Sequence, residues 1–134
     1  MIDYDFPAQR EPLPVILDCD TSTGILGAEI DDGFAILLCL ALEKLERLRL
    51  LGITGVAGNT NVHQGVVCTL KILEMMGRQD IPVYKGADKP LILDRKPSFN
   101  PEHIDEPMGG KPTIRAQTEH AVDFIIRTVK ALPH

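Results

Sequence analysis

The stretch Val15–Leu42 has the sequence VILDCDTSTGILGAEIDDGFAILLCLAL and decides how the rest of the chain is arranged. It begins with a short apolar run that is typical of a buried strand. It ends with the longer apolar run Phe34–Leu42, which exceeds the usual strand length and predicts a buried helix. Four aspartates lie between the two runs: Asp18, Asp20, Asp31 and Asp32. The pattern predicts a strand that leads through an acidic loop into a helix.

The crowding of these acids indicates a cation site. Asp31 and Asp32 stand at the predicted helix N-terminus, where the macrodipole stabilises negative charge. Asp18 and Asp20 at the adjoining strand end need another explanation, because crowded carboxylates raise one another's pKa unless a cation lies among them. Calcium or magnesium, hard cations with oxygen ligands, would resolve the conflict. The alternative is that the acids only cap a helix and a surface loop.

Strands and helices alternate along the rest of the chain. Apolar runs predict a second strand over Arg49–Ala57 and a third over Ile81–Tyr84. The helix between them has Asn61 as its predicted N-cap and Gly77 as its stop signal. A last helix is predicted over Ala116–Leu132. This alternation favours an α/β fold with a Rossmann-like parallel sheet and flanking helices.

The 134 residues are expected to form a single domain, because 44% of them are hydrophobic and no low-complexity tract interrupts them. Residues 1–13 carry prolines without periodicity and are predicted to be an irregular arm. Residues 87–115 contain five prolines and two adjacent glycines, a composition that predicts a lid-like loop. The three cysteines are widely spaced and odd in number, so they are expected to be reduced core residues.

Charge and hydropathy argue against two classes of partner. The formal net charge of -5 provides no basic stripe for a phosphate backbone, so no nucleic acid partner is expected. No apolar run reaches the length that crosses a membrane, so no membrane partner is expected. The first residues are acidic and do not resemble a signal peptide, which favours a cytoplasmic protein.

Polar residues follow two neighbouring strands of the predicted sheet. Asp18 and Asp20 follow the first strand, and Gly58 and Asn59 follow the second. Because ligands of parallel α/β sheets bind at the carboxyl ends of the strands, these residues are expected at one binding edge. Two plainer explanations remain open. Asp18 has the features of a structural residue that accepts from loop amides, and Asn59 is also a common turn residue because it tolerates left-handed backbone angles.

The blocks DCD, IDDGFAILL and VAGN, followed by GRQDIPVY, resemble the N-terminal part of the inosine-uridine-preferring nucleoside hydrolase family. The resemblance runs from about Pro14 to Leu91 and resumes at the helix after Ala116. It implies hydrolysis of the N-glycosidic bond of ribonucleosides by water, with Ca²⁺ as the cofactor. It also implies a small ribonucleoside as the partner and a homo-oligomer as the assembly.

The resemblance also implies roles for individual residues. Asp20 would be a metal ligand and the general base that activates water, and Asp32 would be a second metal ligand. Asp31 would accept a hydrogen bond from a ribose hydroxyl, and Asn59 would make a further ribose contact. These four residues are the candidate site.

The chain departs from the family pattern in its loop, its lid and its length. The ten residues Thr21–Ile30 replace a shorter loop before the Asp pair, and they either fold outward or displace Asp20 from Asp32. Many members carry a His-Gly pair after an isoleucine, where this chain has Asp105 and Glu106 after Ile104. Because the family is longer than 134 residues, the chain is expected to be an incomplete, N-terminal part of the fold and inactive by itself.

Two other functions fit parts of the sequence. The segment LDCDT after an apolar strand is also similar to the haloacid dehalogenase phosphohydrolases, in which Asp18 would be the nucleophile and Asp20 a general acid beside magnesium. That interpretation predicts no VAGN block. A non-catalytic module that binds nucleoside or ribose through the acidic cluster is the other alternative.

Overall fold

The computed structural model of the protein describes residues 11–92, 97–98 and 106–132. Its elements, in chain order, are β1 (Leu13–Cys19), α1 (Asp31–Lys44), β2 (Leu48–Gly55), α2 (Val62–Met75), β3 (Val83–Lys85) and α3 (Ala121–Ala131). The three strands of this part of the chain form a parallel sheet in the order β1-β2-β3. The predicted α/β fold is therefore confirmed, with strand ends shifted by one or two residues.

Helices cover both faces of the sheet. Adjacent residues of a strand point to opposite faces, and Val83 and Tyr84 of β3 belong to different apolar clusters. The larger cluster packs β-strand residues against α1 and α2, through side chains such as Ile36 and Leu73, both fully buried. The smaller cluster packs Tyr84 against Phe124 of α3. The sheet is thus the middle layer, with α1 and α2 on one face and α3 on the other.

The ends of α2 follow the sequence signals closely. The side chain of Asn61 accepts a hydrogen bond from the backbone N–H of Gln64 at 2.9 Å, as an N-cap should. Gly77 has φ +68°, and the N–H of Arg78 donates to the carbonyl of Leu73 at 2.8 Å. That bond is characteristic of a Schellman C-cap, in which a left-handed glycine ends the helix. Both predicted ends of α2 are confirmed.

The predicted helix Ala116–Leu132 begins later, at Ala121. The residues before it are held at the sheet, because the N–H of Gln117 donates to the carbonyl of Val83 at 2.8 Å. His120 is the N-cap, and its Nδ1 accepts a hydrogen bond from a first-turn amide at 3.3 Å. A bond to a distant strand therefore overrides the local helical preference of the first five residues.

The prediction that α1 is buried is wrong for one of its faces. Ile36 and Leu40 face the sheet and are buried, whereas the side chain of Phe34 is 64% exposed and that of Leu38 is 59% exposed. An apolar sequence predicts burial only if another element covers each face, and the described residues cover one. The other face of α1 is an exposed apolar surface.

The described part of the predicted loop 87–115 packs along α2. The N–H of Met108 donates to the carbonyl of Gly24 at 2.9 Å, and both the amide and the hydroxyl of Thr113 donate to Oε2 of Glu74 at 2.6 Å. These bonds from Thr113, together with Lys71, lower the pKa of Glu74 to about 2. A lid role for this loop stays a prediction, and most of the predicted arm, like Ile104 and Asp105, lies outside the described residues.

Two further expectations concern the helices and the cysteines. Across the ranges that the structure describes, none of the helices combines the length and the apolar character needed to cross a membrane. Cys19, Cys39 and Cys68 are free thiols, and the first and last of them are buried, as expected for reduced core residues.

We expect the substitution Phe124→Ala to detach α3. The rings of Phe124 and Tyr84 are stacked with centroids 3.8 Å apart, and Phe124 is a buried member of the smaller cluster. Removing such a ring from a core lowers the free energy of unfolding by about 3–4 kcal/mol. Ile126→Ala on the exposed side of the same helix is the control and should cost less than about 1 kcal/mol. Equal losses in urea unfolding would contradict this packing.

Candidate functional site

The carboxyl ends of β1 and β2 bring Asp20 and Asn59 together. Asp20 directly follows β1, and Asn59 lies four residues beyond the end of β2. The backbone N–H of Asn59 donates to Oδ2 of Asp20 at 2.6 Å, and the side-chain amide of Asn59 lies 3.5 Å from Oδ1. A short bond from an amide to a carboxylate fixes the orientation of that carboxylate. The edge at which the sequence predicted a binding site therefore holds a positioned acid.

Gly58 makes this close approach possible. A Cβ atom on Gly58 would collide with Oδ2 and Cγ of Asp20. Asn59 does not have the left-handed backbone angles of the plainer explanation, because among the described non-glycine residues the only positive φ belongs to Glu46. Gly58 leaves space for the Asp20 carboxylate, and Asn59 donates hydrogen bonds to it.

Asp32 joins Asp20 from the start of α1. The backbone N–H of Asp20 donates to Oδ2 of Asp32 at 2.9 Å, so the ten-residue loop does not separate the two residues. Burial, contact with the Asp20 carboxyl group and the negative charge of Asp20 raise the pKa of Asp32 to about 6. Two carboxylates in contact repel each other unless a proton or a cation lies between them. Asp31, the first residue of α1, is exposed at the same end of the helix.

Asp18 occupies a separate position. Its Oδ1 accepts a hydrogen bond of 2.5 Å from the hydroxyl of Thr54, the residue opposite it on β2, and Thr54 is fully buried. The prediction that Asp18 is structural agrees with this bond, although its partner is a strand hydroxyl and not a loop amide. The structure therefore brings Asp20, Asp32 and Asn59 into contact and binds Asp18 to the neighbouring strand.

Three consecutive hydroxyl residues of the loop were not predicted from the sequence to be part of this site. Thr21 and Ser22 are buried, and Thr23 is partly buried. Thr21 accepts from the hydroxyl of Thr69 on α2 at 3.0 Å, and the hydroxyl of Ser22 donates to the carbonyl of Glu29 at 2.8 Å. Thr23 accepts from a backbone amide of α1 at 3.1 Å. The run TST directly after DCD is a sequence signal only in that short hydroxyl side chains readily bond nearby backbone groups.

The donor set of this edge has the chemistry of ligands for a hard cation and would supply only part of its coordination. Calcium takes six to eight oxygen ligands, carboxylates among them, and the Asp20 and Asp32 carboxyl groups are in contact and need neutralisation. No group of three or more His, Cys, Asp or Glu side chains is arranged for a metal ion within residues 11–92, 97–98 and 106–132. The described edge therefore fits a cation as a pair of carboxylate ligands.

A comparison with protein families matches residues 15–134 to the model described as inosine-uridine preferring nucleoside hydrolase. Among curated proteins, an uncharacterized protein of Schizosaccharomyces pombe is 37% identical over 124 residues, which are 88% of this chain and 36% of that protein. The pyrimidine-specific ribonucleoside hydrolase RihA of Citrobacter koseri is 35% identical over 124 residues, which are 90% of this chain and 36% of RihA.

A solved structure has the same fold. An inosine-guanosine nucleoside hydrolase superposes with a TM-score of 0.69 and 27% sequence identity, over 90% of this chain and 36% of the other. The chain thus spans about a third of the length of the relatives that it matches. Residues 15–134, which the family model matches, include both acidic blocks and the segment that carries Asn59.

We expect Asp32→Asn to remove the pH dependence that the raised pKa of Asp32 gives to the free energy of unfolding. The pKa of Asp32 is raised from 3.8 to about 6, so its stabilising contribution is complete below pH 3.8 and is lost as the pH rises through about 6. In buffer with a chelator, the free energy of unfolding of the wild type should therefore fall relative to Asp32→Asn between these values. The difference should be roughly 1–2 kcal/mol, because partial exposure screens the repulsion.

The matched control for this pH dependence is Asp123→Asn, which removes an exposed acid from the first turn of α3. This variant should follow the pH dependence of the wild type. Stability curves of the wild type and Asp32→Asn that run parallel from pH 3.8 to pH 6 would show that Asp32 does not carry a raised pKa.

Proposed function

The chain belongs to the inosine-uridine preferring nucleoside hydrolase family, and from that premise we propose that its acidic edge binds the ribose of a ribonucleoside, with Ca²⁺, for hydrolysis of the N-glycosidic bond. The observation that carries the proposal is the contact of Asp20 with both Asp32 and Asn59. The haloacid dehalogenase interpretation is set aside for two reasons. The chain belongs to a different family, and the Asp18 carboxylate accepts a hydrogen bond from Thr54.

Asp20 is proposed as the general base and as a metal ligand. Its Oδ2 is fixed by the short bond from the Asn59 amide, whereas the contact of its Oδ1 with the Asn59 side chain is longer, at 3.5 Å. A base must hold one oxygen within hydrogen-bond reach of the water that it deprotonates, and a carboxylate with one fixed oxygen keeps the other available. Asp20 is half-buried, so its charge acts at the edge of the sheet with limited screening.

Asp32 is proposed as the second metal ligand. Its raised pKa means that a proton occupies the carboxyl pair more readily than it would an isolated carboxylate. A bound Ca²⁺ would neutralise the pair and supply Lewis acidity for the attacking water and an anchor for ribose hydroxyls. The pair is thus better suited to a cation than to solvent alone.

Asp31 and Asn59 are proposed as ribose contacts. An exposed carboxylate accepts from a sugar hydroxyl, and a side-chain amide both donates and accepts. The cleavage of a glycosidic bond passes through a transition state with positive charge on the sugar, and a carboxylate-rich edge stabilises that charge. The substrate class is therefore a riboside, with the recognition made on the sugar.

We further propose that these 134 residues bind ribose but do not turn over by themselves. Two carboxylates in contact provide fewer oxygen ligands than calcium takes, and the described residues hold no third acid or histidine at the same point. The chain spans about a third of the length of its hydrolase relatives. Self-association and a cytoplasmic location stay predictions.

The metal part of this proposal predicts that Ca²⁺ stabilises the chain. A ligand that binds only the folded state raises the free energy of unfolding, by about 2.7 kcal/mol at one hundred times its Kd. Asp20→Asn and Asp32→Asn should each abolish most of the calcium-dependent rise in Tm, because each removes a ligand carboxylate. The control Asp123→Asn should keep the full rise. A wild-type Tm that does not respond to Ca²⁺ would refute the metal site.

The catalytic part predicts selective binding of a charged ribose mimic. In the presence of Ca²⁺, an iminoribitol, whose cationic ring resembles the transition state, should bind at least about 100-fold tighter than inosine or uridine. 2′-Deoxyinosine should bind more weakly than inosine, and Asp31→Asn should reduce that difference, since Asp31 would no longer accept from the ribose hydroxyl. Binding by titration calorimetry and base release by absorbance are the measurements.

The outcomes of this experiment separate the two candidate functions. Equal affinity for the iminoribitol and for inosine would favour the non-catalytic binding module. Base release above the level of Asp20→Asn would show that the 134 residues turn over, which contradicts their proposed inactivity and supports the hydrolase. Calcium-independent binding of every nucleoside would contradict the ribose site.

A further inference from the structure

The helix that carries Asp31 and Asp32 is capped from outside its own sequence. The N-cap position of α1 is occupied by Ile30, whose hydrocarbon side chain has no oxygen to accept from the first-turn amides. The hydroxyl oxygen of Thr23, seven residues earlier in the chain, accepts from the backbone N–H of Gly33 at 3.1 Å. The bond satisfies a donor that would otherwise lack a partner at the start of a helix.

Thr23 and Gly33 are matched in shape. Gly33 is buried, and a Cβ atom at that position would collide with Oγ1, Cγ2 and Cβ of Thr23. Because threonine is short, a clash with all three of its side-chain atoms would have to be relieved by a shift of the backbone. Glycine inside the first turn, a poor helix former, is therefore explained by the approach of Thr23.

The residues next to Thr23 hold it in place. Thr21 is bonded to Thr69 on α2, and Ser22 is bonded to the carbonyl of Glu29 on the far side of the loop. The carbonyl of Gly24 accepts from the amide of Met108. Thr23 thus connects a loop with several attachments to the first turn of α1.

We propose that Thr23 is a positioning residue for the proposed site: it fixes the first turn of α1 so that the Asp32 carboxylate stays on the amide of Asp20. The inference rests on the proposed function, since it assigns that turn a role in cation binding. Without the Thr23 acceptor, the first turn opens more often and Asp32 leaves Asp20. The apparent affinity for Ca²⁺ then falls in proportion to the fraction of molecules in which the turn is formed.

The test compares three variants of the full chain. Thr23→Val keeps the shape of the side chain and removes the acceptor, whereas Thr23→Ser keeps the acceptor. Ser22→Ala breaks the bond to Glu29 inside the same loop and leaves the Thr23 acceptor intact, so it is the control for general loosening of the loop. The two measurements are the exchange rate of the Gly33 amide hydrogen by NMR without metal and the Kd for Ca²⁺ by titration calorimetry.

The expected pattern is specific to the acceptor. Thr23→Val should speed exchange of the Gly33 amide about fivefold, the size of effect that a lost helix cap produces, and should weaken Ca²⁺ binding about two- to fivefold. Thr23→Ser should restore both values to within about twofold of the wild type, and Ser22→Ala should leave the Gly33 exchange rate unchanged.

The inference about Thr23 is overturned if the wild type binds Ca²⁺ and Thr23→Val binds it equally well, or if Ser22→Ala and Thr23→Val weaken binding to the same degree. In both cases the proposed metal site itself survives. If the wild type does not bind Ca²⁺, the metal part of the proposed function fails instead, and a positioning role for Thr23 in that site fails with it.

Discussion

The structure of the site depends on one hydrogen bond, the bond from the backbone N–H of Asp20 to the carboxylate of Asp32. It connects the carboxyl end of a central-layer strand to the amino end of a helix. A backbone donor cannot move without moving β1, so the position of Asp32 is set by the sheet. The same bond brings two carboxyl groups into contact, and burial together with this contact raises the pKa of Asp32 to about 6. Positioning and repulsion thus have a single cause.

Two glycines allow the site to be this compact. At Gly58 the carboxylate of Asp20 occupies the space of a side chain, and at Gly33 the side chain of Thr23 does so. In both places the reason for glycine is close approach, because neither residue has a positive φ. The two positions serve the two partners of the central bond: one lets Asp20 reach Asn59, and the other lets the helix of Asp32 be capped.

The sequence predicted those parts of the structure that depend on local or periodic signals. The parallel α/β fold and both ends of α2 follow from apolar periodicity and from the capping residues Asn61 and Gly77. The start of α3 was missed, because it is decided by a bond between Gln117 and Val83, which are far apart in the chain. The exposed face of α1 was missed because apolar residues do not specify what covers them.

The candidate site shows the same division. The sequence pointed to Asp20 and Asn59 because strand ends of a parallel sheet meet at one edge. It pointed to Asp32 through the crowding of acids and the family resemblance, and the structure brings Asp20 into contact with both other residues. The sequence did not point to Thr23, because a cap from seven residues before the N-cap position has no fixed spacing to recognise. A residue that acts through loop geometry becomes visible only when the loop is folded.

The tolerance of the ten-residue loop has a simple energetic basis. Each doubling of loop length costs only about 0.6 kcal/mol of closure entropy, so an extension from a few residues to ten costs on the order of 1 kcal/mol. Side chains of the loop make hydrogen bonds to Thr69, Glu29 and Gly33, through Thr21, Ser22 and Thr23, and each contributes about 1 kcal/mol net. These bonds offset the closure entropy of the longer loop. They also explain why the insertion folds against α1 and α2 and leaves Asp20 in contact with Asp32.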